Sequence, residues 1–311
     1  MYVFMHKYFL IGNFYFELIY PDILTLPEHF MLFETDRRHI PADYRYQLSL
    51  SSHFPAPEGI CIVRRPDLTV FRVSGHLECR YIGISGIPGY YGCCQEHSDL
   101  EARIFLHPDR IENLNSDPVF VSLFALERRM PAKNALILHC AYISYKNQAI
   151  LCSAPSGIGK TTQARLWEKY RGSRTVNGDR ALLRIKDGQW HAEGWPVCGT
   201  SGICRNEVLP LGAIVLLSQG THDKVSFTKS SETFKLLYAQ ITVNSWQANA
   251  VRRTICLSEH LLQTVPVFQF QCTISGHAVD KLDHALQFIT EASYENNLCR
   301  NLSAHSAGTD S

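Results

Sequence analysis

The sequence lacks the marks of several large protein classes. Its 311 residues contain 11 cysteines without a CxxC pair, no long lysine or arginine run, and no internal repeat. The cysteine number is odd and several lie in apolar runs, so we expect reduced, mostly structural thiols. The formal net charge of +1 gives no electrostatic reason to expect nucleic acid or an anionic membrane as a partner.

Long apolar segments are also missing. No stretch reaches the roughly 18 uninterrupted apolar residues that a transmembrane helix needs. The apolar N-terminus is interrupted by Lys7, Asn13 and Glu17, and no small-residue cleavage site follows, so it does not resemble a signal peptide. Its aromatic runs on either side of Gly12-Asn13 predict a β-hairpin instead. We therefore expect a cytoplasmic protein without a membrane or nucleic-acid partner.

What is present predicts an α/β (α+β) fold with two domains and a tail. Short β-runs separated by turn residues predict a β-rich N-terminal domain over 1–130, with one short helix near 119–128. Over 131–295 an antiparallel hairpin, a helix at 161–170, further strands and helices at 231–245, 248–264 and 278–291 predict a nucleotide-binding domain with a mixed sheet. Small polar residues predict a disordered tail over 296–311.

Residues 154–161 read Ala-Pro-Ser-Gly-Ile-Gly-Lys-Thr and match the Walker A pattern except at the first position. The glycines let successive backbone N–H groups converge on phosphate oxygens, and the following helix adds the positive end of its dipole. The lysine can bridge two phosphates, and the threonine hydroxyl can bind Mg²⁺. Ala154 is compatible with this role if its position needs no positive φ. The alternative is an ordinary strand-to-helix turn. The predicted nucleotide-binding residues are Ser156, Gly157, Ile158, Gly159, Lys160, Thr161 and Thr162.

A carboxylate near this loop is needed to hold Mg²⁺ for phosphoryl transfer. Asp179 follows the predicted helix and strand, in the run Val-Asn-Gly-Asp-Arg. It is the best candidate, together with Thr161, for the metal site, although an Asn-Gly-Asp run is also common in plain turns.

At this point the sequence resembles the HPr kinase/phosphorylase and phosphoenolpyruvate carboxykinase superfamily. The loop over 156–161 is similar to the SGxGK[ST] of both families, and a hairpin precedes it. His139 lies 21 residues before Lys160, the spacing of a histidine in HPr kinases, and Asp179 matches the second of the superfamily's paired acids. The resemblance covers about 135–290. It implies a P-loop kinase core that uses ATP and Mg²⁺.

The resemblance is incomplete because Gly178 stands where the superfamily has its first acid. Either Asp179 serves both as metal ligand and as base, or a base comes from elsewhere. The candidates for that base are His139, Glu193 and Glu207. His139 on an apolar strand is as readily a core side chain.

The segment 194–207 is rich in glycine and small hydroxyls and reads as a loop that faces the nucleotide or the acceptor. Arg205 within it could neutralise charge on the transferred phosphoryl group, or it could be a solvated surface residue. Cys198 and Cys204 are six residues apart, without the spacing or the neighbouring ligands that suggest zinc.

Three functions remain open from the sequence. The first is an ATP-dependent kinase that phosphorylates a hydroxyl, of Ser or Thr, in a peptide or small protein. The second is a non-catalytic nucleotide-binding regulator or assembly factor, which the missing acid at Gly178 favours. The third is a small-molecule kinase. The choice between ATP and GTP, the acceptor and the oligomeric state are not specified by any motif.

Overall fold

The first sheet is built from eight strands that lie before residue 107. The computed structural model describes residues 2–36 and 39–288. The strand order is β1-β2-β3-β8-β7-β6-β5-β4, with parallel pairing only at β2–β3 and β3–β8. The strands are β1 (Phe4–Ile11), β2 (Phe14–Pro21), β3 (Tyr44–Leu50), β4 (Ile60–Arg65), β5 (Leu68–Ser74), β6 (Leu77–Ile84), β7 (Ile87–Glu96) and β8 (Glu101–Leu106).

The second sheet also has eight strands, and its pairings close a ring. β10 pairs antiparallel with β9 and parallel with β14, and the circuit returns through β13 and β12. β16 and β15 extend it beyond β14, and β11 pairs with β9. The strands are β9 (Ala135–Tyr145), β10 (Gln148–Ser153), β11 (Arg174–Asn177), β12 (Arg180–Lys186), β13 (Gln189–Glu193), β14 (Val208–Gln219), β15 (Lys224–Phe227) and β16 (Val267–Cys272).

Helices cover both faces of the second sheet, which explains why β10 is buried from Ala149 to Ser153. One face packs against α4 and α7 through residues such as Trp167 and Leu282. The other face packs against α5 and α6 through residues such as Leu237 and Leu261. The helices are α1 (Glu28–Met31), α2 (Asp117–Ser122), α3 (Leu126–Arg129), α4 (Lys160–Arg171), α5 (Ser231–Tyr238), α6 (Ala248–Thr264) and α7 (276–288).

The chain is thus a mixed α/β protein with two large mixed sheets, as the sequence predicts at that level. One apolar core joins the sheets, since Phe16 and Tyr46 of the first belong to the same cluster as Ile137 and Leu182 of the second. The domain boundary near residue 130 therefore stays a prediction. No helix within the described ranges has both the length and the apolar character needed to cross a membrane.

Most predicted elements of the second half are confirmed, and so is the N-terminal hairpin, whose turn places Gly12 at a φ of 63°. Two helix predictions were wrong in extent. The helix near 119–128 is split into α2 and α3, because Ala125 between them has a left-handed φ of 48°. The helix predicted over 231–245 ends at Tyr238. Residues 289–291 of the last predicted helix and the 296–311 tail lie outside the described residues.

The early end of α5 has a tertiary cause that matters for the site. The chain after Tyr238 pairs with β9, where the Gln240 carbonyl accepts from the His139 backbone N–H at 2.9 Å. The Thr242 N–H donates to the Ile137 carbonyl, also at 2.9 Å. These sheet-like bonds satisfy the backbone groups that a longer helix would have satisfied internally.

Candidate functional site

The site is centred on residues 154–161, hereafter the 154–161 loop, which joins buried β10 to α4. Gly157 and Gly159 have φ values of 84° and 120°, in the region that favours glycine. A β-carbon added to either would meet no heavy atom within 4 Å. Both glycines are thus required by backbone conformation and face open space. α4 begins at Lys160, directly after this turn.

Ala154, the departure from the Walker A pattern, is buried, with 2% of its surface exposed. It is not among the non-glycine residues that have a positive φ in the described ranges. Alanine therefore fits the position without strain. The sequence made Ala154 acceptable only if its position needs no positive φ, and that condition is met.

Lys160 folds back over the 154–161 loop. Its ammonium donates to the carbonyls of Ala154 at 3.0 Å and Pro155 at 3.3 Å. Burial lowers the pKa of Lys160, and the negative charge of Asp179 partly opposes that shift. The ammonium is therefore held at the loop by backbone dipoles and lies within the electrostatic range of Asp179.

His139 and Asp179 lie together beside this lysine. His139 is on β9, and its Nε2 is 3.6 Å from Asp179 Oδ1, too long for a hydrogen bond. Burial is the main cause that lowers the pKa of His139; the charge of Lys160 adds to it and Asp179 opposes it. These surroundings therefore favour the neutral imidazole over the imidazolium.

A buried asparagine fixes the turn that carries Asp179. The Asn177 side-chain oxygen accepts from the backbone N–H groups of Asp179 and Arg180, both at 2.9 Å. Its amide nitrogen donates to the carbonyls of Trp195 at 2.8 Å and Val197 at 3.1 Å. In the sequence alone, Asn177 reads only as part of a turn. Because Asn177 is completely buried, its side-chain polar atoms need partners within the protein, and these four hydrogen bonds provide them.

The arginine that contacts Asp179 is Arg180, a residue to which the sequence assigned no role. Arg180 Nε lies 3.2 Å from Asp179 Oδ2. Arg205 is exposed and donates from Nε to the Thr175 carbonyl at 3.3 Å, at β11. Within residues 2–36 and 39–288, no hydrogen bond or ion pair joins Arg205 to His139, Lys160 or Asp179. Its predicted role in neutralising phosphoryl charge stays a prediction.

The two other candidate bases are engaged in ion pairs. Glu193 is buried and accepts from Arg184 at 2.6 and 3.0 Å. Glu207 forms a two-pronged pair with Arg174, which lowers the pKa of Glu207. Of the three candidates that the sequence offered, His139 is the one in contact range of Asp179.

A neighbouring loop occupies the space beside Gly178, the residue that stands where the superfamily has its first acid. A β-carbon added to Gly178 would overlap the hydroxyl and β-carbon of Ser201 and would lie 3.4 Å from the Cys198 carbonyl. Ser201 is fixed in turn, because its hydroxyl donates to the Cys198 carbonyl at 2.7 Å and accepts from the Ile203 N–H at 3.1 Å. The same loop reaches Asp179, since a β-carbon on Gly199 would be 3.0 Å from the Asp179 β-carbon.

The remaining predicted residues lie around the loop. Ser156 is exposed and Ile158 is half-buried, and the Ile158 carbonyl accepts from the Gln219 side chain at 3.4 Å. Thr161 and Thr162, in the first turn of α4, are half-buried. Hydroxyl and carboxylate oxygens are ligands that Mg²⁺ prefers. Thr161 and Asp179 thus have the donor chemistry for the metal predicted there.

The family described as SynChlorMet cassette protein ScmC matches residues 109–287, more than half of the chain. The chain belongs to the ScmC family. The matched residues include β9 to β16, the 154–161 loop and Asp179. No curated protein matches the chain.

Among solved structures, the HPr(Ser) kinase/phosphatase from Coxiella burnetii matches this ScmC family member. The identity is 12%, over 56% of this chain and 99% of that chain, with a TM-score of 0.32. At that TM-score the likeness supports no inference about activity. The resemblance to HPr kinases therefore rests on the motifs given above.

Proposed function

We propose that this chain is an ATP-dependent kinase that transfers the γ-phosphoryl group to a hydroxyl of Ser or Thr in a peptide or small protein. One observation carries the proposal. The two glycines with positive φ precede the N-terminus of α4 at Lys160, beside the contact between His139 and Asp179. This arrangement supports a polyphosphate site next to a group that can accept a proton.

Each side chain then has a distinct role. The backbone N–H groups of the 154–161 loop and the Lys160 ammonium bind the phosphates. Thr161 and Asp179 hold Mg²⁺, which neutralises charge on the phosphates when it is bound. The neutral imidazole of His139 accepts the proton of the acceptor hydroxyl as that oxygen bonds to the γ-phosphorus, and the bond from this phosphorus to the β–γ bridging oxygen breaks to release ADP. Asp179 Oδ1, at 3.6 Å, stabilises the imidazolium that results.

A second candidate function is nucleotide binding without turnover, as in a regulator or an assembly factor. The packing of Ser201 against Gly178 favours it, because no second carboxylate can stand beside Asp179 while that loop is in place. In this case ATP with Mg²⁺ stabilises the fold by mass action, but no phosphoryl group is transferred.

Phosphoryl transfer tests the proposal directly. The protein is incubated with γ-labelled ATP, Mg²⁺ and a library of Ser- and Thr-containing peptides. Lys160→Ala should lower transfer by about 100-fold or more, the usual cost of removing a pre-positioned group that stabilises transition-state charge. Lys169→Ala is the matched control, because Lys169 is exposed in the last turn of the same helix.

The outcomes separate the two candidates. Equal transfer by wild type and Lys160→Ala contradicts the kinase proposal. Stabilisation by ATP and Mg²⁺ that depends on Lys160, without transfer to any peptide or release of labelled phosphate, favours the regulator. GTP is run in parallel to determine the base preference.

A further inference from the structure

Three side chains with metal-binding atoms lie together where α1 and α2 approach the loop over 198–201, which packs against Gly178. His29 lies on α1, Asp117 begins α2, and Cys198 lies on the loop that ends at Ser201. His29 Nδ1 is 2.7 Å from Asp117 Oδ2. Cys198 Sγ is 3.3 Å from that oxygen and 3.4 Å from the nitrogen. The three donor atoms therefore form a compact triangle.

The triangle has nearly the dimensions of three ligands on one tetrahedral zinc ion. Bonds of about 2.3 Å to sulfur and about 2.0–2.2 Å to nitrogen and oxygen place tetrahedral sulfur–nitrogen and sulfur–oxygen pairs about 3.5–3.7 Å apart. The two sulfur distances here are 3.4 and 3.3 Å. The nitrogen–oxygen pair would open from 2.7 Å to about 3.4 Å, a small side-chain movement.

The surrounding structure holds the donors in place. The ring of Phe30, next to His29, packs edge-on against Phe120 with centroids 4.9 Å apart, which ties α1 to α2. The Val197 carbonyl accepts from Asn177, and the Cys198 carbonyl accepts from Ser201. Each donor therefore sits on a backbone that other contacts position, as a metal site requires.

The different exposures of the three side chains leave only one side of the triangle from which water could reach a bound ion as its fourth ligand. Cys198 is 2% exposed, whereas the His29 and Asp117 side chains are 29% and 13% exposed. A bound ion would thus keep its sulfur in the interior and face water beside the imidazole and carboxylate. Three protein ligands with one open position is a common arrangement for zinc.

We propose that His29 Nδ1, Asp117 Oδ2 and Cys198 Sγ bind one divalent cation of the zinc type, with water as the fourth ligand. Thiolate and imidazole together select such an ion over Mg²⁺ or Ca²⁺. Binding releases the thiol proton. The ion ties α1 and α2 to the loop that covers Gly178 and lies against Asp179, and so positions that loop. The site is separate from the 154–161 loop and does not depend on nucleotide.

Cobalt provides the test, because Co²⁺ reports thiolate ligation by a charge-transfer absorption in the near ultraviolet. The full chain, reduced and freed of metal with a chelator, is titrated with Co²⁺ and then with Zn²⁺. We expect one equivalent of Co²⁺ to produce the band and Zn²⁺ to displace it. Cys198→Ser should remove the band and weaken Zn²⁺ binding by at least about 10–100-fold, since even outer-shell partners have that effect.

Matched variants keep the test independent of folding. Cys204→Ser is the control, because that thiol is on the same loop but donates to the Trp195 carbonyl at 3.2 Å. Asp117→Asn keeps the side-chain shape and should weaken binding while circular dichroism stays unchanged. A wild-type protein without the band, or a band that survives in Cys198→Ser, overturns the proposal. Amide exchange over 198–203 should slow on Zn²⁺ addition; unchanged exchange overturns the positioning role.

Discussion

Glycines lie on both sides of the His139–Asp179 contact, but the two loops need them for different reasons. In the 154–161 loop, Gly157 and Gly159 adopt φ values that other residues avoid, and space around them is open. In the turn before Asp179, Gly178 has no positive φ, and Ser201 excludes a side chain there. The first loop is thus specified locally by backbone conformation, and the second by a tertiary contact.

This difference teaches where an altered motif can be tolerated. A backbone requirement cannot be met by changing a neighbour, so glycine is needed at positions 157 and 159, whereas Ala154 needs no such conformation. A tertiary requirement involves a pair of positions. The superfamily's first acid at 178 would therefore need a different residue, or a different loop position, at 201.

The largest effect should come from the carboxylate of the second loop. Asp179→Asn should weaken the affinity for ATP in the presence of Mg²⁺ by roughly tenfold or more, because an interaction with a charged group is worth about 1.5–3 kcal/mol. The affinity without Mg²⁺ should not fall, since a negative charge has been removed. Calorimetric titration measures both, with Asp187→Asn in an exposed turn as control. Equal losses with and without Mg²⁺ would show that Asp179 is not a metal ligand.

The two kinds of glycine should differ in whether a second change repairs them. Gly178→Ala should cost about 1–3 kcal/mol in the free energy of unfolding through overpacking, and Ser201→Gly should restore much of it in the double variant. Gly159→Ala should cost a similar amount through strain at a φ of 120°, and Ser201→Gly should not restore it. Urea unfolding measures the three single variants and the two double variants. Simple additivity of the 178 and 201 changes would contradict the tertiary explanation.

The smallest effect concerns His139, whose pKa is lowered mainly by burial. Because the folded protein binds this proton less readily than the unfolded chain, His139 lowers stability as the pH falls through its ordinary pKa of about 6.5. The melting temperature of His139→Gln minus that of wild type should therefore increase as the pH is lowered from 8 to 5. The other histidines are common to both proteins and cancel. A constant difference would argue against the lowered pKa.

The sequence revealed features that are contiguous in the chain. The 154–161 loop forms one motif, and Asp179 follows a recognisable strand, so both could be predicted. α5 was predicted too long because its end depends on pairing with β9.

The remaining features depend on residues far apart in sequence. Asp117 is 88 residues from His29 and 81 from Cys198, so spacing around Cys198 and Cys204 could not indicate a shared site. The overlap between Gly178 and Ser201 likewise appears only when the loop is folded. Arg180 follows Asp179 directly in the chain, but only the fold shows that it contacts that carboxylate.

The central claim is that the backbone around Gly157 and Gly159, together with Lys160, binds a nucleotide polyphosphate. Isothermal calorimetry with ATP or GTP and Mg²⁺ tests it most directly, on wild type, Lys160→Ala and Lys169→Ala. We predict binding at one site for wild type and Lys169→Ala, and a large loss for Lys160→Ala. Absence of heat from wild type at millimolar nucleotide, or equal binding by Lys160→Ala, would contradict the claim.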